Sequence, residues 1–300
     1  MKKILMLIIF NTFLFGNLNV EKIKLDFNKN VIEFGIYKKI YKKILDKKCK
    51  KEDFQCFDNF ISKIKQYDEN NRQYIFDYYE NNEILFKDEY FKKIEKKLKK
   101  DINKLSFKKS EFLTVVDLKN QILTIIYFDV NEQKYYKIGS DYISSGNIEK
   151  EKQIKYGQEH YLNTPTGVFR KKSGWRTIAK DKKGKESLSY GYKDRYVYYF
   201  GKYITHRYDT FTKNRKKIYN KKNWKIIKDK VNFAMHSYGY QTEYGYKASH
   251  GCIRTSDQLI RFLDENMILH KKILKRYKRK TLKKTYKKYA GEYLVIYNKV

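Results

Sequence analysis

Apolar residues recur with two different periods along this 300-residue chain, and the change falls near residue 110. Before it, the period is helical. Ile36, Ile40 and Ile44 form a stripe beyond Asn30 and Glu33, which have capping-box spacing. Asp53 precedes a second stripe of Phe57, Phe60, Ile61 and Ile64, and Asp88 precedes a third of Phe91, Ile94, Leu98, Ile102 and Leu105. Lys and Glu fill the opposite faces, so the pattern predicts a small helical bundle with solvated charged surfaces.

After residue 110 the runs become β-branched and aromatic. Phe112 to Leu118 and Gln121 to Phe128 read as two strands joined by a two-residue hairpin at Lys119-Asn120. Further strands are expected at Tyr135–Ser140, Asp141–Gly146, Arg195–Tyr203, Val231–His236 and Tyr293–Tyr297, and Thr164 to Phe169 reads as a turn followed by an extended run. One helix returns late: Thr255 and Gln258 have capping-box spacing ahead of Leu259, Phe262, Leu263 and Met267. Glycine follows the same division, with eleven of the fourteen between Gly139 and Gly251. The fold class is therefore α+β, a Lys-rich helical region over 20–110 followed by a strand-rich domain over 111–298. A strongly basic insertion at about 271–290 precedes the last strand and reads as a surface helix or a solvated helical extension.

Two features bear on compartment. Met1-Lys2-Lys3 and the twelve apolar-rich residues Ile4 to Phe15 fit a secretory signal ending near residue 19, or an uncleaved anchor, and both put the body of the protein outside the cytoplasm. That setting is the periplasm or cell envelope. Three cysteines are present, Cys49, Cys56 and Cys252. If the first two pair, Cys252 is the one free thiol, but seven residues of unbroken helix would hold their Cα atoms about 10.5 Å apart. A bridge there needs a turn at Lys50 to Asp53, and the sequence leaves the pairing open.

The formal net charge of +34 comes from 68 Lys and Arg against 34 Asp and Glu. One reading of it is AT-rich codon usage. The functional reading is attraction to an anionic wall polymer or membrane surface. Only ten of the basic residues are Arg, and no nucleic-acid-binding motif occurs, so nucleic acid is not an expected partner.

The chemistry gathers at Ser249-His250-Gly251-Cys252-Ile253-Arg254 and at His236-Ser237. These supply a thiol, two imidazoles and a glycine that lets backbone amides approach a substrate. His236 lies sixteen positions before Cys252, so the chain must double back between them. A zinc site of His236, His250 and Cys252 has usable ligand types but lacks a zinc-peptidase pattern. Papain-like peptidases place Cys before His, and sortases lack the His-Gly before their cysteine.

The Ser-His-Gly-Cys-Ile-Arg run, with a His fourteen residues before its own His, resembles the signature of the L,D-transpeptidase (YkuD-type) catalytic domain, over about residues 111–269. The resemblance implies a mixed-sheet catalytic domain with Cys252 as nucleophile, His236 as its base and the Ser237 carbonyl orienting that base. It implies oxyanion stabilisation by the Gly251 and Cys252 amides, with His250, Ser249 and Arg254 supporting the site or its substrate. The substrate would be a peptidoglycan stem peptide, carbapenem-type compounds would acylate the cysteine, and no cofactor or metal is called for. Transfer to an amine would crosslink third residues of two stems. Transfer to water would make the protein an L,D-carboxypeptidase, or an endopeptidase that detaches wall-linked protein. In the charged, aromatic loops, Trp175, Arg176, Tyr190 and Tyr192 are candidate cleft residues. A helix starting just after Cys252 would also favour a thiolate if its N-terminus faced the sulfur.

Overall fold

The structure is a computed structural model that describes residues 18–36, 38, 56, 59, 83–105, 107–149, 152–154, 157–159, 161–181, 183–214, 216–241, 244–271 and 284–300. Its first helix, α1 (Val20–Phe27), is capped by Asn19, whose side chain accepts from the Lys22 amide at 2.8 Å. It runs on through a π-helical turn, Asn28–Ile32, to residue 36. The expected cap at Asn30 is therefore not one. Asn30 lies inside the helical run, and its side-chain amide donates back to the Asp26 carbonyl at 2.8 Å. The second helix, α2 (Asp88–Leu105), begins at the expected Asp88 and buries Ile94, Leu98 and Leu105. Ile40, Ile44 and the stripe from Phe57 to Ile64 lie outside the described residues, as does most of the expected signal segment.

The strands are β1 (Glu111–Asp117), β2 (Ile122–Asp129), β3 (Lys134–Ser144), β4 (Lys152–Ile154), β5 (Gly157–Glu159), β6 (Gly167–Arg170), β7 (Ser173–Arg176), β8 (Tyr196–Asp209), β9 (Lys225–Ser237), β10 (Ile253–Thr255) and β11 (Tyr293–Tyr297). Apart from the β4–β5 hairpin they form one mixed nine-stranded sheet in the order β6-β11-β1-β2-β3-β10-β9-β8-β7. Two neighbouring pairs are parallel, β1 with β11 and β10 with β9. The hairpin expected at Lys119-Asn120 is wider than two residues, because Asp117 pairs with Ile122 and Gln121 takes a positive φ of 54°. Asp117 holds that turn by accepting from the Lys119 and Asn120 amides. The two strands expected between Tyr135 and Gly146 are a single strand, β3.

Every residue of β1 and β2 is buried, because helices cover both faces of the sheet there. On one face Phe112, Val116, Leu123 and Ile125 join Ile23 and Phe27 of α1, Val31 of the π-helical turn, and the apolar side of the third helix, α3 (Asp257–Glu265). On the other, Leu113, Val115, Ile126 and Phe128 meet Ile94 and Leu98 of α2. The described N-terminal helices thus pack on the sheet. Gly139 shows how closely: a Cβ there would fall 2.1 Å from the Phe27 ring. Phe27 in turn meets Phe262 edge-on at 5.2 Å.

The basic insertion is described only in part. Its residues 272–283 lie outside the described region, and Lys284–Tyr289 is a short 3-10 turn that buries Tyr286 and Tyr289 against Phe112 and Tyr127. A polar group is buried between α3 and β8. Lys171 is fully buried, with Nζ 3.5 Å from His270 Nδ1 and facing the rings of Tyr196 and Tyr198. Asp264 takes Arg176 in a two-pronged contact and His270 at 3.1 Å. Burial pulls Lys171 down to about 7 and His270 down to about 4.

Candidate active site

Parallel pairing of β10 with β9 sets Ile253 beside Met235, Arg254 beside His236 and Thr255 beside Ser237. Side chains alternate across a strand, so Met235 and Ile253 enter the core while His236 and Arg254 point to the opposite face. Cys252, one residue ahead of this register, is the diagonal neighbour of His236. Strand spacing and rise put their Cα atoms roughly 8 Å apart, within reach for an imidazole and a thiol. The sixteen-residue separation is closed by sheet geometry.

His236 is 5% exposed, and its Nδ1 lies 2.7 Å from the Ser237 carbonyl. A carbonyl only accepts, so Nδ1 carries the hydrogen and Nε2 is left as the basic nitrogen. Burial pulls this imidazole down to about 4, aided by the positive Arg254, although the Ser237 bond works the other way. Burial pushes the Cys252 thiol up, against a backbone hydrogen bond from Ala234 and the charge of Arg254. The resting pair is therefore neutral thiol and neutral imidazole. Among the described residues the Cys252 thiol donates to the Asn232 carbonyl, at 3.5 Å, rather than to His236.

The turn before Cys252 is fixed from several sides. Gly251 has φ of +125°, and an added Cβ would lie 2.9 Å from Val231 Cγ2. Its carbonyl accepts from Thr164 Oγ1 at 2.9 Å, and the same hydroxyl accepts from the Gly146 amide. The Gly251 amide donates to Ser249 Oγ at 3.1 Å, and Ser249 Oγ donates on to the Cys252 carbonyl. This corrects two expectations. Ser249 is 1% exposed and engaged within the turn, not presented to substrate, and the Gly251 amide is occupied, leaving the Cys252 amide as the candidate oxyanion donor of the two.

Arg254 is also turned inward. It is 9% exposed, donates to the Ala248 carbonyl at 3.2 Å, and lies 3.7 Å from the Tyr238 ring centre. It acts on the dyad through its charge and by holding the turn. His250 stacks on Tyr161 at 3.9 Å, with its Nδ1 3.5 Å from Arg254 Nη2. Among the described residues no group of three or more His, Cys, Asp and Glu could hold a metal ion. The expected helix-dipole assistance is not built either. α3 is capped by Ser256, not Thr255, and β10 puts its start on the order of 13 Å of extended chain beyond Cys252.

Two of the four cleft candidates reach the site. Tyr190 lies 4.8 Å from the His236 ring, and its hydroxyl is pushed up by burial and by the nearby Cys252 sulfur. Trp175 meets Tyr190 at 5.8 Å and Tyr199 at 6.3 Å. The loop of Tyr190 is docked by Leu188, which accepts from the Gly239 amide and donates to Tyr240. Arg176, the next residue of β7, faces the other way and pairs with Asp264, while Tyr192 neighbours Tyr244 instead. Asn232, Tyr161 and Tyr238 were not singled out in the sequence, and Thr164 was read only as the start of a turn. A strand register and a loop contact bring them in.

Cys56 is disulfide-bonded and Cys252 is free; Cys49 lies outside the described residues.

The sequence finds no match among curated proteins. Three solved structures resemble the chain loosely. Bd1075 of Bdellovibrio bacteriovorus is 13% identical, over 64% of this chain and 48% of that one, with a TM-score of 0.32. An L,D-transpeptidase from Mycobacterium smegmatis is 13% identical over 63% and 59%, with a TM-score of 0.28. A fused Zn-dependent amidase/peptidase/peptidoglycan-binding domain-containing protein from Clostridium acetobutylicum is 14% identical over 62% and 52%, with a TM-score of 0.26. The chain thus spans about half the length of each, and superpositions this loose carry no weight. The model of the YkuD L,D-transpeptidase catalytic domain, by contrast, matches residues 111–269, more than half of the chain, and includes both His236 and Cys252. This protein belongs to the YkuD family of L,D-transpeptidase catalytic domains, whose members act on peptidoglycan.

Proposed function

We propose that the chain is a peptidoglycan L,D-transpeptidase that works through a thioester on Cys252. The observation that carries this reading is the His236 tautomer: Nδ1 is committed to the Ser237 carbonyl, and Nε2 remains basic on the face that presents the thiol. Because both groups rest neutral, the thiol is activated only as it attacks. Rotation of the side chain releases Sγ from the Asn232 carbonyl and brings it to Nε2. Sulfur then bonds to the carbonyl carbon between the third residue of the stem, a diamino acid, and its terminal D-residue, while Nε2 takes the thiol proton. The negative oxygen of the tetrahedral intermediate is met by the Cys252 amide. The carbon–nitrogen bond breaks, the D-residue leaves with the proton from His236, and the thioester remains. A side-chain amine of a second stem attacks it, His236 accepts the amine's proton, and Cys252 departs to be reprotonated.

Tyr190 and Trp175 form an aromatic wall beside the dyad, and a stem peptide lying against it would be held away from solvent. The same reading makes the protein a target of carbapenem acylation and places it in the cell envelope. Incubation with purified disaccharide tetrapeptides, followed by mass spectrometry, tests the assignment. Crosslinked dimers with free terminal D-residue are expected. Tripeptide alone would reassign the protein as an L,D-carboxypeptidase, and unchanged substrate would overturn both readings. Cys252→Ala should form no covalent adduct with a carbapenem.

A further inference from the structure

The hairpin of β8 and β9 extends well beyond its neighbours in the sheet. β7 reaches β8 only at Tyr196–Tyr199 and β10 reaches β9 only at Met235–Ser237, so the outer halves of the two strands pair chiefly with each other. Between residues 202 and 230 this arm carries eleven Lys or Arg against two Asp. The charge is sorted between its two faces. The register sets Lys202 beside Asn232, Ile204 beside Lys230, His206 beside Lys228 and Tyr208 beside Ile226. By the two-residue period of β9, these pairs lie on the face that presents His236. Both acids lie on the other face, where Arg207 takes Asp229 at 2.6 Å and Asp209 at 3.7 Å. None of the ion pairs among the described residues includes Lys202, Lys228 or Lys230, and all three are exposed.

We propose that this face is a docking ramp for the carboxylate-bearing polymer that feeds the active site, so that the enzyme takes intact peptidoglycan in preference to short fragments. The inference rests on the peptidoglycan reading above and adds to it a second contact region. Three features carry it. The ramp shares its face and its strand with His236, so an extended acidic chain on it leads directly to Cys252. It runs about 20 Å from Asn232 out to Ile226, a length that a polymer covers and a single stem peptide at the cysteine does not. Its acids are turned to the back, so the lysines keep their charge for a ligand. A membrane surface fits less well, because the His206–Lys228 pair lies between Ile204, 66% exposed, and Ile226, 59% exposed and beside Tyr208 at the outer end, so the apolar side chains form no continuous strip.

The test uses full-length protein carrying Cys252→Ala, so that binding is read without turnover. Sedimentation with purified sacculi at low salt is compared for three versions: this background, one adding Lys202→Gln, Lys228→Gln and Lys230→Gln, and one adding Lys216→Gln, Lys221→Gln and Lys222→Gln near the arm's tip. The ramp variant is expected to need about tenfold more sacculi for half-saturation, and the tip variant little more than the background. Replacing the three ramp lysines by arginine should keep binding, and amidating the carboxylates of the sacculi should erase the difference between ramp and tip variants. Equal weakening by both glutamine sets, or by neither, would overturn the proposal. So would a loss seen on anionic phospholipid vesicles and not on sacculi. Because the tetrapeptide assay is separate, failure of the catalytic reading and failure of the ramp are distinguishable.

Discussion

The neutral state of the dyad makes a sharp statement about acid. His236 is held near 4, against an ordinary 6.5, mainly by burial. At pH 5.5 an ordinary imidazole would be about 90% protonated and useless as a base, whereas His236 would be only about 3% protonated. Acylation of Cys252, followed by intact mass after mixing with a carbapenem, should therefore lose little of its rate between pH 7 and pH 5.5, where an exposed histidine would lose about tenfold. The sign for stability is the opposite of helpful. Below pH 6.5 the unfolded chain takes up protons that the buried ring refuses, so stability falls as pH drops from 6.5 to about 4 and levels off below. For His236 the whole fall is worth about 3 kcal/mol, at 1.36 kcal/mol per pH unit, and His270 adds in the same direction. Thermal melts at each pH show where the protein is still folded, and rates are compared only there. An acid limb with its midpoint between 6 and 7, in protein shown to be folded, would mean that His236 is solvated and that the buried-base argument is wrong.

Gly251→Ala forces a side chain onto a φ of +125° and against Val231. It should cost about 2–5 kcal/mol and most of the acylation rate; adding Val231→Ala should recover the contact part of the loss in thermal melts but not the backbone part. Lys171→Met should raise the unfolding free energy at pH 7, read in thermal melts, by an amount on the order of a few kcal/mol, since the folded state holds the amine near 7 while the unfolded chain holds it near 10.5. That gain should shrink as pH rises toward 10.5, because the unfolded chain then gives up the same proton; a pH-independent gain would count against burial as the cause. Gly139→Ala should push α1 off the sheet through the Phe27 ring, read as faster proteolysis ahead of residue 36 with the rest of the chain protected.

Where structure follows from near neighbours, it was legible. Asp88 with its apolar stripe and Tyr293 to Tyr297 needed only local pattern, and their limits appear as expected. Asn30 misled because a capping signal does not reveal that a helix has already begun eleven residues earlier, at Asn19. The β1–β2 turn misled because Gln121 accepts a positive φ that its residue type does not announce. At the site, the contact of His236 with the Ser237 carbonyl was readable from a short motif. The Asn232 carbonyl was not, because its approach depends on which residues of two parallel strands lie abreast. Trp175 and Arg176, neighbours on β7, make the same point. They are adjacent, yet one faces the dyad and the other Asp264, and no property of either side chain says which.

The last strand has a consequence for the order in which the molecule can assemble. β11 lies between β6 and β1, bonded to both, so residues 293–297 form an internal slat of the sheet, although they are made after every other strand in it. Until they emerge, β1 and β6 are two open edges, each a template for pairing with another chain. The closing contact joins residues nearly two hundred positions apart, which favours slow folding. A nascent chain halted before residue 293 would hold a complete catalytic motif on an unfinished sheet. Its fate would turn on whether a chaperone or a neighbouring copy reached the open edges first.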